Sequence, residues 1–262
     1  MLAEAKLFIA LTYYQALRYK AFPLEIAASI FSNVVTVALF ITFWLLVGKY
    51  SSNGDIVPKD IISFYLITTG LMPIFYSAMG IASQSIKNIK DGTLNQVLIK
   101  PISPIIHPWA VRTGSSLVSM IFGFSMVIVG MFIAGGISSR SLPYLPLVLF
   151  NTLMINTAFN IAIGTFGFYF VQANGLKDSF VHVARLCRGE LIPLFLMPVS
   201  IATALQFTPF PASQYHLSIL LQGTRLPSWG FVILGSVWAI VLMYGALRFW
   251  RHGLKKYEAI GL

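Results

Sequence analysis

Ser85–Pro108, SIKNIKDGTLNQVLIKPISPIIHP, is the only long polar and basic insert between two runs of membrane-spanning length. Asp91-Gly92 signals a turn. Thr93 is placed to N-cap a new helix, and Gln96 three residues on completes a capping box. Leu94, Val97 and Leu98 fall at i, i+3 and i+4, which predicts a one- to two-turn helix with an apolar knob facing the cytosol. Pro101 biases Lys100 out of helical geometry and stops the element. An ordinary capped turn between two spans satisfies the same local physics.

The composition around this insert decides the class. The chain has 262 residues, 57% of them hydrophobic and only 10% charged, with a mean hydropathy of +0.79. These values describe a polytopic membrane protein, not a water-soluble domain. Six stretches approach the ~20 apolar residues that cross a bilayer, at 25–48, 61–84, 109–134, 144–170, 179–205 and 229–250. Residues 1–24 precede them, with Lys6, Arg18 and Lys20 among Leu7, Phe8, Leu11, Tyr14 and Leu17. That spacing predicts an amphipathic helix in the headgroup layer, ended at Phe22-Pro23. The expected fold is therefore all-α and integral to the membrane, with residues 25–262 as a six-span domain and 85–108 as its cytoplasmic loop.

A net charge of +10 would suggest nucleic acid in a soluble protein. Here the cations sit beside apolar runs, so the lipid bilayer is the expected partner and nucleic acid is not. Of the 18 Lys and Arg, 14 lie beside one set of span ends. Only Lys49, Lys59, Arg140 and Arg225 lie beside the other. The asymmetry puts both termini in the cytoplasm, with Asp55 and Asp60 in an outer loop. Trp229 and Trp250 bracket the last span, one expected at each interface.

The fifth stretch is irregular. Arg185, Arg188, Gly189 and Glu190 open it, Pro193 and Pro198 interrupt it, and Pro209 and Pro211 follow. Phe210–Gly223 is too short to cross and return as full helices. Re-entrant half-helices between spans 5 and 6 are expected there, buried where protein or water satisfies the backbone; an outer loop with a surface helix is the alternative.

Catalytic residues are not expected. His107, His182, His216 and His252 have no partner at metal-ligand spacing, and the single cysteine, Cys187, has no second thiol to pair with. Gly48-Lys49 is not a P-loop, because Tyr50 stands where Ser or Thr is required. Two sets of polar groups remain for a substrate pathway. Arg185, Arg188 and Glu190 are ionisable groups near membrane depth, which favour an interior or a wet cavity; snorkelling arginines explain them equally well. Glu190 lies two residues after Arg188 and five after Arg185, a spacing that argues against a simple intrahelical salt bridge unless Gly189 swings it round. Asn151 and Asn156 either line a path or hydrogen-bond between helices.

Several motifs together resemble the ABC-2-type transporter permeases. They are D-G-T-L-x-x-x-L-x-x-P-x-S-P at Asp91–Pro104, RGELIPLFLMP at Arg188–Pro198, Phe207-Thr208-Pro209-Phe210, and the closing W-x-x-G-x-x-x-Y-x-x-x-G at Trp250–Gly261. The pattern is similar to the daunorubicin- and viologen-exporter-like subfamily. The resemblance implies an ATP-driven exporter permease in a prokaryotic plasma membrane, moving an amphiphilic, drug-like, lipid or glycan-type substrate outward. It also implies two separate ABC ATPase subunits carrying the ATP and magnesium, no cofactor on this chain, and a second permease chain, identical or homologous. On this reading Asp91, Gly92, Thr93, Leu94, Gln96, Val97, Leu98 and Pro101 form the ATPase-coupling element. Asn95 departs from the carboxylate that relatives often carry there. An ATPase-independent secondary transporter or channel is the alternative.

Overall fold

The computed structural model describes residues 2–50, 58–170 and 172–261, and they contain helices and no strand. In order these are α1 (Leu2–Tyr19), α2 (Pro23–Tyr50), α3 (Pro58–Tyr76), α4 (Met79–Lys90), α5 (Leu94–Leu98), α6 (Ile106–Ala134), α7 (Leu145–Thr165), α8 (Ala173–Cys187), α9 (Val199–Gln206), α10 (Pro209–Ala212), α11 (Tyr215–Gln222) and α12 (Trp229–Gly261). Short 3-10 turns link several of them. Asp55 lies outside the described residues.

Five helical stretches are long and apolar enough to cross a membrane among the described residues: 23–47, 58–90, 106–134, 139–168 and 229–257. They coincide with five of the six expected spans. The remaining one, 179–205, is not a single helix. It divides into α8, a segment from Arg188 to Pro198 with a single 3-10 turn at Leu194–Leu196, and α9. Pro193 and Pro198, both at extended ψ, cannot continue a helix from α8.

Two pairings organise the bundle, α3 with α6 and α7 with α12, and α4 packs against both α6 and α7. Helices in lipid gain little from burying apolar groups against one another, so close backbone approach matters more. At the α3–α6 crossing a Cβ on Gly70 would meet the Gly123 carbonyl oxygen at 2.4 Å, and one on Gly123 would meet that of Gly70 at 2.3 Å. Only glycine fits at either position. The outward faces of α2, α6 and α12 carry Phe31, Leu39, Ile121, Phe132, Ile240 and Tyr244, exposed as lipid-facing residues should be.

The segment after α9 is a buried hairpin. Every residue from Pro211 to Leu220 is buried, which excludes the surface-loop alternative. Its tip, Ala212–Gln214, reaches the middle of α7. There Thr152 Oγ1 donates to the Ala212 carbonyl (3.2 Å) and Asn156 Nδ2 to the Ser213 carbonyl (2.7 Å). Gln214 Nε2 donates in turn to the Thr68 carbonyl on α3 (3.1 Å). Side chains from neighbouring helices thus take up carbonyls that a continuous helix would have used itself. Leu217 and Leu220 of α11 join Ile67, Phe75, Val127, Val148 and Val232 in one apolar core.

Both ends of the chain pack against the bundle. α1 packs along the first turns of α6, where Phe8 meets Trp109 edge-to-face at 5.7 Å and Thr12 Oγ1 donates to the Ala110 carbonyl (3.3 Å). Trp250 does not face an interface. It is buried against Phe168 (5.4 Å between ring centroids), because α12 continues helically to Gly261 and keeps packing beyond the apolar run.

Candidate functional site

α8 ends on glycine. Gly189 has φ +73°, its amide donates to the Leu186 carbonyl (3.1 Å), and the Glu190 amide donates to the Arg185 carbonyl (3.0 Å). This is the Schellman closure, in which the second residue past the cap returns over the last turn. Ordinarily an apolar pair meets at that point. Here Arg185 and Glu190 meet, with Arg185 Nε 3.1 Å from Glu190 Oε2.

Ideal-helix spacing argues against an ion pair here, and the alternative, that Gly189 swings Glu190 round, is what the structure shows: the left-handed glycine puts residues five apart on one face. Arg188 approaches the other carboxylate oxygen, Nη1 to Oε1 at 3.8 Å. Tyr76, at the end of α3, donates its hydroxyl to Glu190 Oε2 (2.9 Å). The Glu190 side chain is 0% exposed, against 23% for Arg185 and 7% for Arg188. Two guanidinium groups therefore share one carboxylate in a nearly dry setting. Among the described residues neither Glu190 Oε1 nor Arg188 Nε has a hydrogen-bond partner. The Arg188 guanidinium carbon lies 5.7 Å from the centre of the Phe159 ring.

The backbone beyond Glu190 is held by aromatic donors. Trp44 Nε1 (3.3 Å) and Tyr65 Oη (2.9 Å) both donate to the Leu191 carbonyl, which the broken helix leaves free. Sequence reasoning missed Tyr76, Tyr65 and Trp44. The available signal was a tyrosine or tryptophan inside an apolar span, whose polar tip needs a partner when buried.

Two spaces adjoin the cluster. A cavity of about 620 Å³ opens between α4, the first turns of α6 and α8, with Arg112, Arg185, His107, Gln84 and Ser115 on its wall. Tyr76, Met79 and Val181 separate it from a gap of about 10 Å³ bordered by Arg188, Phe159, Asn156 and Asn160. The charged cluster stands at this partition.

Asn151 and Asn156 serve different neighbours. Asn151 Nδ2 donates to the Val232 carbonyl (2.8 Å), and its Oδ1 accepts from Ser236 (2.9 Å), so it ties α7 to α12. Asn156 holds the hairpin tip and also borders the gap beside Arg188.

At the central loop the turn forms and the cap does not. Gly92 has φ +69°, and the Thr93 amide donates to the Asn88 carbonyl (2.9 Å). Thr93 makes no side-chain cap bond, so the predicted capping box is absent. Its hydroxyl turns back toward Asn88 Oδ1 instead (3.5 Å). The apolar knob is also reversed. Leu94 is 1% exposed and Val97 is buried, because α5 folds back against α4. Asn95, Gln96 and Ile99 face outward, Ile99 at 84% exposed.

A family model described as ABC-2 family transporter protein matches residues 33–261. The chain belongs to this family. No curated protein matches it. As an ABC-2 family protein it is a multi-pass permease component of an ABC transporter. The match begins within α2, so α1 lies before it, whereas α5, the charged cluster and the hairpin all lie within this ABC-2 permease region.

Proposed function

We propose that this chain is the membrane half of an ATP-driven exporter. Two permease chains, identical or homologous, would assemble with two separate ABC ATPases that carry the ATP and magnesium. Both termini and α5 would lie on the cytoplasmic side of a prokaryotic plasma membrane, as the distribution of basic residues favours. The Arg185–Arg188–Glu190 cluster would stand at the inner entrance to the pathway.

The observation that carries this reading is the family match together with α5. α5 is a short element held at the end of α4 between two spans. Asp91, Gly92 and Thr93 form the elbow before it, and Pro101 ends it. Leu94 and Val97 seat it on its own chain, and Leu98 is half-buried. The contact surface for an ATPase is consequently Asn95, Gln96 and Ile99 rather than the leucines.

Affinity purification of the tagged chain from its host membranes, with mass spectrometry of the intact complex, should recover an ABC ATPase in equal number. Ile99→Asp should weaken that association while insertion stays normal, since the residue touches water and not the core. ATP-independent transport by the chain alone would favour the secondary-transporter alternative. Labelling of a cysteine placed at Asn95 by an impermeant reagent outside intact cells would overturn the orientation.

A further inference from the structure

We propose that the cavity between α4, α6 and α8 is a binding site for the headgroup of an anionic amphiphile, with Arg112 and Arg185 as its anion-recognising residues. The inference deepens the entrance reading of this site and rests on it for its place in transport, though not for its ligand chemistry.

Four observations carry it. The volume, about 620 Å³, is in the range of small-molecule sites and exceeds what a few waters require. The wall combines apolar surface (Met79, Val111, Val181) with two guanidinium groups, and no carboxylate belongs to it. Glu190 pairs with Arg185 of this wall, and its side chain is 0% exposed. Lys177 adds an ammonium 3.4 Å from Ser83 Oγ on the same wall, although Asp178 pairs with it at 3.4 Å.

The second observation concerns the state of the arginines. The hydrogen bond from Arg185 to Glu190 uses Nε. Among the described residues its two terminal nitrogens have no hydrogen-bond partner, although Arg185 lines the cavity. Glu190 thus fixes the guanidinium plane while leaving its forked end free, the arrangement that suits a phosphate or carboxylate. Arg112 is exposed and pairs with no carboxylate among the described residues.

Thirdly, the charges behind the cavity do not balance, because Arg185 and Arg188 share the single carboxylate of Glu190. The buried Arg188 keeps an unpartnered Nε. An anion in the cavity would lower the electrostatic cost of this surplus. Fourthly, the cavity lies at the first turns of α6, beside Lys100, whose ammonium is 3.4 Å from His107 Nε2. That end of the bundle carries most of the chain's cations, where anionic headgroups are attracted. A headgroup on Arg112 and Arg185 leaves its tail against Met79, Val111 and Val181.

The test uses the full chain purified in detergent and titrated separately with dioleoyl phosphatidylglycerol, dioleoyl phosphatidylcholine and glycerol 3-phosphate, with occupancy read by native mass spectrometry. Phosphatidylglycerol should bind saturably and at least about tenfold more tightly than either comparison ligand, a ~1.4 kcal/mol difference. Arg112→Gln should weaken phosphatidylglycerol about tenfold and leave phosphatidylcholine unchanged. Val111→Trp, which fills the cavity without changing charge, should weaken it as well. Arg140→Gln, in the 3-10 turn beyond the far end of α6, should change nothing. If Val111→Trp fails to insert, Arg112→Gln alone decides. Equal binding of the two lipids overturns the proposal, as does indifference to Arg112→Gln. Glycerol 3-phosphate binding as tightly as the lipid would show a site for water-soluble phosphates instead. The entrance reading stands or falls separately, on ATP-driven export by the reconstituted complex. If Arg112→Gln abolishes lipid preference without altering export, the headgroup site remains and its place in the pathway does not.

Discussion

Two helices in this permease close with the same backbone motif and arrive at different chemistry. α4 ends through Asp91-Gly92-Thr93, and α8 ends through Arg188-Gly189-Glu190. In both, the glycine is left-handed and the following amide returns to a carbonyl five residues back, Asn88 in one and Arg185 in the other. In both, the side chains of those two residues also meet: Thr93 with Asn88 at 3.5 Å, Glu190 with Arg185 at 3.1 Å.

The surroundings differ. A Cβ on Gly92 would meet nothing within 4 Å, whereas one on Gly189 would lie 2.5 Å from Leu194 Cδ1 and 3.2 Å from Tyr215 Cδ2. One motif is a surface elbow that aims α5. The other buries a carboxylate between two arginines and a tyrosine. Local geometry is the same, so the contrast isolates what burial adds to it.

The strongest way to break the comparison is Glu190→Gln. It should cost about 3 kcal/mol or more, because Arg188 would keep its charge in a nearly dry site with no counter-ion. Thermal unfolding of the purified chain measures this. A loss below ~1 kcal/mol would mean that water or lipid already screens the cluster.

Next in size is Gly189→Ala, expected at about 2–3 kcal/mol from left-handed strain plus displacement of Leu194. Gly92→Ala carries the strain without the clash and should cost about 1 kcal/mol. Equal melting-temperature shifts for the two glycines would show that the packing around Gly189 yields freely. The smallest effect belongs to Thr93→Ala. A capping threonine is worth about 1 kcal/mol, but Thr93 makes no cap bond. Its removal should change stability by less than about 0.5 kcal/mol, and a full 1 kcal/mol loss would indicate that the capping box forms after all.

The charged cluster was partly legible. Arg185-x-x-Arg188-Gly189-Glu190 contains the glycine that ends α8, and reading that glycine as a left-handed cap brings Glu190 over Arg185 without further information. Spacing on an ideal helix does not apply, because α8 ends at Cys187 and Gly189 turns the chain before Glu190. Tyr76 was not legible as a partner, since it comes from a helix 114 positions away in sequence. Asn151 and Asn156 were legible as buried polar groups, and their different partners were not.

Sequence alone determined what depends on runs of neighbouring residues. The five continuous apolar spans, the proline break in the fifth stretch, the short hairpin before α12 and the turn at Gly92 all follow from apolar length, proline chemistry and the freedom of glycine. Tertiary structure alone decided which face of each element is inside. Leu94 and Val97 have the periodicity of a docking surface, yet they point inward because α4 supplies a partner for them. Gly70 and Gly123 look unremarkable in sequence and set the distance between two helices. Trp250 sits where an interfacial anchor belongs and is buried by Phe168. Periodicity reveals that a helix has an apolar face; only the neighbours that pack against it settle whether that face meets lipid, another subunit or the chain's own core.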